Sequence, residues 1–560
     1  MGAGEPRGRD VLAGAVRGQR RDVTVGALLG AGHQLGEALV PVLIGLVIDQ
    51  AVAEGDTSAL VRWLFVLAVV YVGLSFSFRF GARAGERAAE MAAHQLRVTL
   101  VRRVLDPRGG AENGRLPGAL ANIATEDAKR VGAVNMAVML GISAFVGLAV
   151  SAVALLVVSV PLGLVVLLGT PVLLWLGHLL SKPLERRSEA EQERAAHASG
   201  VAADLVAGLR VLKGIGAQAT AVDRYRRSSR DSLAATLRAA RAEAWQSGVV
   251  LALTGGFIAL VALVGGRLAL QGDITLGQLV SAVGLALFLL GPLEVLAWVN
   301  AEFAQGRASA ARIAEVLGTP PDVVPGDRRL PDPVRGALRL RGVGLGELRE
   351  VDLAVAPGEF LGVATTDPAA AAALLRCLGR TEDPASGVVE LDGVPLPDLD
   401  PAELRTAVLV AAHDAALFDG TLGENIGATE DAEGAMAAAS ADEVADALPL
   451  GTAAEVGEGG RSLSGGQRQR VALARALNAR RAVLVVHDPT TAVDAVTEAR
   501  IAAGVREFRH GRTTVMVTNS PALLAVTDRV VLLDAGRVTA DGPHADLVRS
   551  HATYRTAVLA

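Results

Sequence analysis

Long apolar stretches dominate the chain up to residue 299, and short apolar runs alternating with helical segments follow. Six of the long stretches lie near 23–48, 59–80, 133–158, 159–180, 245–269 and 275–299. Each supplies the about 20 residues that a helix needs to cross a hydrocarbon core of ~30 Å. Buried helices of a soluble protein are excluded by length. Residues 145–176 are apolar almost throughout, broken mainly by Pro161, which fits a short turn between two spans.

Arginine orients the spans. The N-terminal arm (Arg7, Arg9, Arg17, Arg20, Arg21) and the 81–130 and 181–244 connections are Arg-rich and read as cytoplasmic. The short connections at Glu54–Asp56, Ser159–Pro161 and Gln271–Asp273 carry little positive charge and read as external, which puts both termini inside. The basic arm before an apolar stretch resembles a secretion signal, but further spans follow it, so a retained first transmembrane helix is expected. Both long cytoplasmic connections are helix-like and amphipathic. They predict helical stalks that turn near Gly114–Arg130 and Ala202–Lys213.

After Leu317 the character changes. Residues 318–336 are rich in Pro, Gly and Asp and form a linker. From 337 to 560, β-type runs at Leu338–Leu340, Val388–Leu391, Val408–Val410, Val483–Val486, Thr514–Thr518 and Val530–Leu533 alternate with helices. The predicted fold is an all-α six-helix transmembrane domain over 1–317, with long cytoplasmic extensions, followed by an α/β domain with a largely parallel sheet.

Composition narrows the function. Apolar residues reach 51% and mean hydropathy +0.39, high for a soluble enzyme, and 560 residues exceed one ordinary domain. A net charge of −5 argues neither for nucleic acid nor for an acidic tail, and no nucleic-acid partner is expected. The lone cysteine, Cys377, excludes an intrachain disulfide framework or a cysteine metal cluster, and its helical position predicts buried packing. The bias toward Ala, Gly, Val, Leu and Arg fits a GC-rich bacterial gene, so the cytoplasmic (inner) membrane is the expected location.

One loop carries chemistry by what it lacks. A strand-like run at Phe360–Val363 and a helix-like run at Leu374–Leu378 bracket the place of a phosphate-binding loop, Gly-x-x-Gly-x-Gly-Lys-Ser-Thr. The sequence there is Thr365-Thr366-Asp367-Pro368 followed by five alanines. Glycines would let successive N–H groups turn inward on an anion. Thr365, Pro368 and Ala370 replace them, and Pro368 has no N–H to give. Ala371 stands where a lysine would neutralise phosphate, and Ala372 where a hydroxyl would ligate magnesium.

Further on, Leu463-Ser464-Gly465-Gly466-Gln467 is intact and runs into a helix through Ala476. With Glu455-Val456-Gly457-Glu458 before it and Pro489-Thr490-Thr491-Ala492-Val493-Asp494 after it, this segment resembles the signature and flanking loops of ABC transporters, exporter branch. The last span and its exit, Gly277 to Leu317, are similar to those of exporter half-transporters. The resemblance implies a dimer with nucleotides sandwiched head to tail, each between one domain's phosphate loop and the other's signature. It also implies that Ser464, Gly465, Gly466, Gln467 and Asp494 act on a nucleotide held by a partner.

The resemblance places further losses in this chain's own half-site. The Walker B aspartate is His487, a poor ligand for a hard cation. The catalytic glutamate is Asp488, the switch histidine is Asn519, and the Q-loop position is His413. The adenine-stacking aromatic expected near Leu345 is missing. His413 and His487 alone make a weak metal site, and no metal is expected. Taken together, ATP and Mg2+ are expected to be held mainly by a second half-transporter with an intact loop, in a heterodimer. The chain alone is expected to have no ATPase activity.

Two other readings stay open: a non-transporting pseudo-ATPase that regulates or scaffolds another transporter, and an exporter-fold importer of a chelated metal. Ionisable residues at membrane depth are costly and point to function. His33, Glu37 and Glu294 therefore mark a candidate substrate path for cationic or amphiphilic molecules, against the alternative of satisfied interhelical bonds. Small molecules, lipids and peptides remain open as substrates.

Overall fold

A computed structural model describes residues 6–413 and 416–559. The first five residues of the expected membrane domain and the last residue of the α/β domain lie outside the described residues. The chain divides into two compact units, Met1–Val101 with Pro117–Gly318, and Arg102–Leu116 with Thr319–Ala560.

The first unit is helical. A short α1 (Gly8–Gly18) precedes α2 (Arg20–Val47), α3 (Thr57–Val104), α4 (Pro117–Asn122), α5 (Ala128–Val158), α6 (Val160–Ala207), α7 (Leu209–Gly214), α8 (Gln218–Gln271), α9 (Leu276–Phe288) and α10 (Leu290–Gly318). Six helical stretches among the described residues are long and apolar enough to span a membrane, and the expected six-span architecture is borne out. In α3 the most apolar window is only 6% buried within the chain, so its Phe and Val side chains face lipid or another chain rather than a core.

The spans meet through small residues. A Cβ on Gly277 would lie 2.1 Å from the Gly45 carbonyl oxygen, and one on Gly45 would lie 2.3 Å from that of Gly277. Only glycine lets the two backbones approach this closely. Asp49, in a wide helical turn after α2, closes the same contact. Its carboxylate accepts from the Gly277 N–H at 2.8 Å and from the Thr275 hydroxyl, satisfying donors that a helix start leaves free. Thr275 and Gln278 add a reciprocal capping box.

Two turns differ from expectation. The first stalk turns at 105–116, not across 114–130. Pro117 is already the first residue of α4, a position where its missing N–H costs nothing, and 123–130 belong to the returning helices. In the second unit this turn lies on the linker, where Arg103 donates to the Thr319 carbonyl at 2.8 Å and Asn113 to Asp322 at 2.6 Å. The second stalk turns at 208–217, because α6 continues to Ala207.

On the returning helix Asp127, 2% exposed, accepts from Ser309 Oγ at 2.9 Å and from Arg312 Nε at 2.8 Å. Arg312 is half exposed, so water still reaches it when the carboxylate is removed. Asp127→Ala is therefore expected to cost about 2 kcal/mol, as for hydrogen bonds to a charged group. The about 3–5 kcal/mol of a fully buried broken pair would be too much. Thermal unfolding of the purified chain measures this.

The second unit holds two sheets. An antiparallel sheet, whose β1 and β4 runs the sequence reading assigned to one largely parallel sheet, runs β2 (Leu348–Val355), β1 (Leu338–Leu345), β4 (Ser386–Leu391), β5 (Val394–Pro395). The larger sheet is ordered β10 (Arg537–Gly542), β9 (Arg529–Asp534), β3 (Phe360–Thr365), β8 (Thr513–Val517), β7 (Val483–His487), β6 (Val408–Ala411). It is parallel from β9 to β6, with β10 antiparallel at its edge. Every residue of β3 and β8 is buried, as strands covered on both faces require. Helix α11 (Pro368–Leu378) packs Ala370, Ala371, Ala373, Leu374 and Cys377 into the core. Burial pushes the Cys377 thiol up to about 12.

Candidate functional site

The carboxyl ends of parallel strands are where α/β sheets collect ligands. Here that edge gathers Thr365 from β3, Asn519 after β8, His487 and Asp488 at the end of β7, and His413 after β6. The sequence candidates for this half-site are thus brought to one edge.

The phosphate-loop position has a short, self-satisfied backbone. Only Thr366 and Asp367 separate β3 from α11. Pro368 fixes a helix-ready φ at the first helical position, and Asp367 caps the helix by accepting the Ala369 N–H at 2.8 Å. Thr365 Oγ1 accepts the Asp367 N–H at 3.1 Å and donates to the Asp367 carbonyl at 3.0 Å. Thr366 Oγ1 donates to Asp534 at 2.7 Å. Asn519 grips the strand end from both sides, accepting the Thr365 N–H at 3.0 Å and donating to its carbonyl at 2.8 Å.

The N-terminal end of α11 carries the positive end of the helix dipole, and a carboxylate of the chain itself sits on it. Helix geometry also relocates the lysine position: Ala371 is 1% exposed, inside the core, while Ala372 is half-buried. The role of Asp367 was missed in the sequence, although Asp before Pro at a helix start is itself a capping signal.

The neighbouring positions are equally committed. The His487 ring packs edge-on against His413 with centroids 5.5 Å apart, and its Nε2 lies 3.6 Å from Asp488 Oδ2. The cavity between them, about 20 Å³ in volume, has room for about one water. Among the described residues no group of three or more His, Cys, Asp or Glu side chains could hold a metal ion. Leu345 is buried and pairs with Leu348 across a tight hairpin, so it presents no face to a base.

The signature is built differently. Ser464 caps helix α12 (Gly465–Asn478) in a reciprocal box: its Oγ accepts the Gln467 N–H at 3.3 Å and Gln467 Oε1 accepts the Ser464 N–H at 2.8 Å. Ser464 is exposed and the next residues are half-buried, and the N–H groups of Gly465 and Gly466 have no intrahelical acceptor. A Cβ on Gly466 would lie 2.5 Å from the Ala492 carbonyl oxygen, so that position admits only glycine. Gln469 ties α12 to the following loop, donating to Thr491 Oγ1 at 2.6 Å and accepting from the Ala492 N–H at 2.9 Å. Asp494 caps α13 (Ala495–Phe508); backbone hydrogen bonding from Thr497 holds its carboxyl below the usual range. The arrangement is a rigid, open helix start with free N–H donors, which suits an anion.

In the helical unit, Glu37 and Glu294 line one cavity of about 640 Å³. His33 does not line it. Its Nδ1 lies 3.1 Å from the Leu74 carbonyl and its ring against Phe78, with Nε2 3.6 Å from Glu37 Oε2.

Residues 23–293 match the ABC transporter transmembrane region family, and 348–491 match the ABC transporter family. The multidrug efflux ATP-binding/permease protein of Mycobacterium tuberculosis is 33% identical over 545 residues, 94% of this chain but 45% of that protein. The chain therefore spans less than half the length of that relative. The ATP-dependent lipid A-core flippase of Bordetella pertussis is 30% identical over 421 residues, 71% of this chain and 66% of the flippase. A solved bacterial Atm1-family ABC exporter with ATP bound superposes with a TM-score of 0.73 at 22% identity, covering 97% of this chain and 98% of that one. The six-span region, the α/β unit and these matches together show that the chain belongs to the ABC transporters, with an exporter-type transmembrane domain fused to a nucleotide-binding domain.

Proposed function

We propose that this chain is the degenerate half of a two-chain ABC exporter of the cytoplasmic membrane, and that its signature serves a nucleotide held by its partner. The observation that carries the reading is Asp367: its carboxylate caps α11 at the place where phosphate would sit. The residues around it do not fit a magnesium nucleotide. Position 371 is an alanine in the core, position 372 offers no hydroxyl, and position 487 offers imidazole to a cation that prefers oxygen.

The signature keeps the groups a phosphate needs. The N–H donors of Gly465 and Gly466 and the Ser464 hydroxyl would face the γ-phosphate of a nucleotide held by a partner with an intact loop. Closure of that one site would draw the two nucleotide-binding domains together, and the stalk turns would pass the motion to the spans. The relatives' names, a multidrug efflux protein and a lipid flippase, support export of an apolar or amphiphilic substrate.

The purified chain alone is expected to show no Mg2+-dependent ATPase above a detergent blank. Co-expressed with an exporter half that keeps its glycine-rich loop, it should co-purify with that half and hydrolyse ATP. Robust hydrolysis by the chain alone would overturn the proposal.

A further inference from the structure

The cavity of the helical unit is built for one sign of charge. Its 640 Å³ is in the range of sites for drug-sized ligands, and no Lys or Arg lines it. Glu294 and Trp298 are four residues apart on one face of α10, and Gln34 and Glu37 three apart on one face of α2. Glu294 makes no hydrogen bond or ion pair among the described residues, and Glu37 has only the His33 ring at 3.6 Å. The side-chain oxygen of Gln34 is buried and receives no hydrogen bond.

Proline adds acceptors of the same kind. Pro41 and Pro292 lie four residues after Glu37 and Phe288, and neither has an N–H to give the carbonyl one turn back. Two carboxylates, an unpaired amide oxygen and two released carbonyls therefore belong to residues around this cavity, with the rings of Phe288 and Trp298 among them.

Carboxylates at membrane depth are expensive unless something positive offsets them, and aromatic faces attract cations. We infer that this cavity binds an organic cation with an apolar, ring-bearing body. Glu37 and Glu294 hold its charge, and Trp298 and Phe288 hold its body. The inference rests on the transporter reading above, since it names the substrate class of that transporter, but its test uses neither ATP nor a partner chain.

The probes are tetraphenylphosphonium and tetraphenylborate, which share four phenyl rings and differ in the sign of charge. Radiolabelled ions are titrated onto the full chain in lipid nanodiscs, with empty nanodiscs subtracted. Saturable binding of the phosphonium and none of the borate is expected. Glu37→Gln combined with Glu294→Gln should weaken phosphonium binding at least about tenfold, a loss of about 1.4 kcal/mol, while Glu294→Asp should retain it.

Glu294→Lys, with an unchanged thermal unfolding midpoint, should lose the phosphonium and gain the borate. No saturable phosphonium binding by the wild-type chain, equal binding of both ions, or wild-type affinity in the double Gln variant would overturn the inference. Failed ATPase complementation with intact phosphonium binding would instead overturn only the two-chain reading.

Discussion

Gly465→Asp is expected to lower ATP turnover of the proposed two-chain complex by at least about 100-fold, the scale of losing a preorganised donor to a charged reacting group, while leaving the chain folded. A side chain here has space: a Cβ on Gly465 would lie 3.4 Å from the Ala492 Cβ, an ordinary contact. The effect is therefore electrostatic. A carboxylate at the first residue of α12 would occupy the open N–H groups and repel the γ-phosphate of the nucleotide that the proposal places there. Gly466→Ala would be a poorer test, because its methyl would strike the Ala492 carbonyl and shift the loop itself. Steady-state phosphate release from the purified complex is the measurement. Wild-type turnover would remove the trans-acting role of the signature.

Ala371→Lys, which restores the residue type of an intact phosphate loop, is expected to destabilise the chain by about 3–5 kcal/mol, the cost of an uncompensated buried charge, and to restore no nucleotide binding. Position 371 lies in the core among Val363, Leu374 and their neighbours, 1% exposed, so a lysine there must bury its ammonium or push α11 off the sheet. The control is Ala369→Lys. Residue 369 is exposed on the same helix, and a surface change of this kind stays within about 0.5 kcal/mol. Thermal unfolding of the two purified variants separates the cases. If Ala371→Lys unfolded like wild type and bound Mg·ATP, the loop would be a conventional cradle lacking one side chain.

The membrane half was legible because hydropathy over about 20 residues is a strong signal, and the parallel strands because buried β-branched runs are. Four features were not. The first stalk turn was placed late because Gly114 and Pro117 look like the middle of a turn, whereas Pro117 starts the helix. The antiparallel sheet was read only in part: its runs Leu338–Leu340 and Val388–Leu391 were grouped with the parallel strands, because pairing depends on partners distant in sequence. In the phosphate loop, reading Asp367 and Pro368 as failed loop residues hid what they are, a helix cap and first-turn proline. The alanine at position 371 could be read from sequence; the capped helix start at Asp367 and Pro368 could not. His33 was put on the candidate substrate path by its spacing from Glu37; in the structure its ring lies against Leu74 and Phe78 of α3.

The central claim is that one nucleotide per complex reacts and that this chain does not hold it. Vanadate trapping of a photoreactive radiolabelled ATP on the two-chain complex, resolved chain by chain, tests this most directly. The account predicts one trapped nucleotide per complex, cross-linked through the partner's phosphate loop, and none trapped when Gly465 is aspartate. Two trapped nucleotides, or label attached to residues 365–373 of this chain, would contradict it.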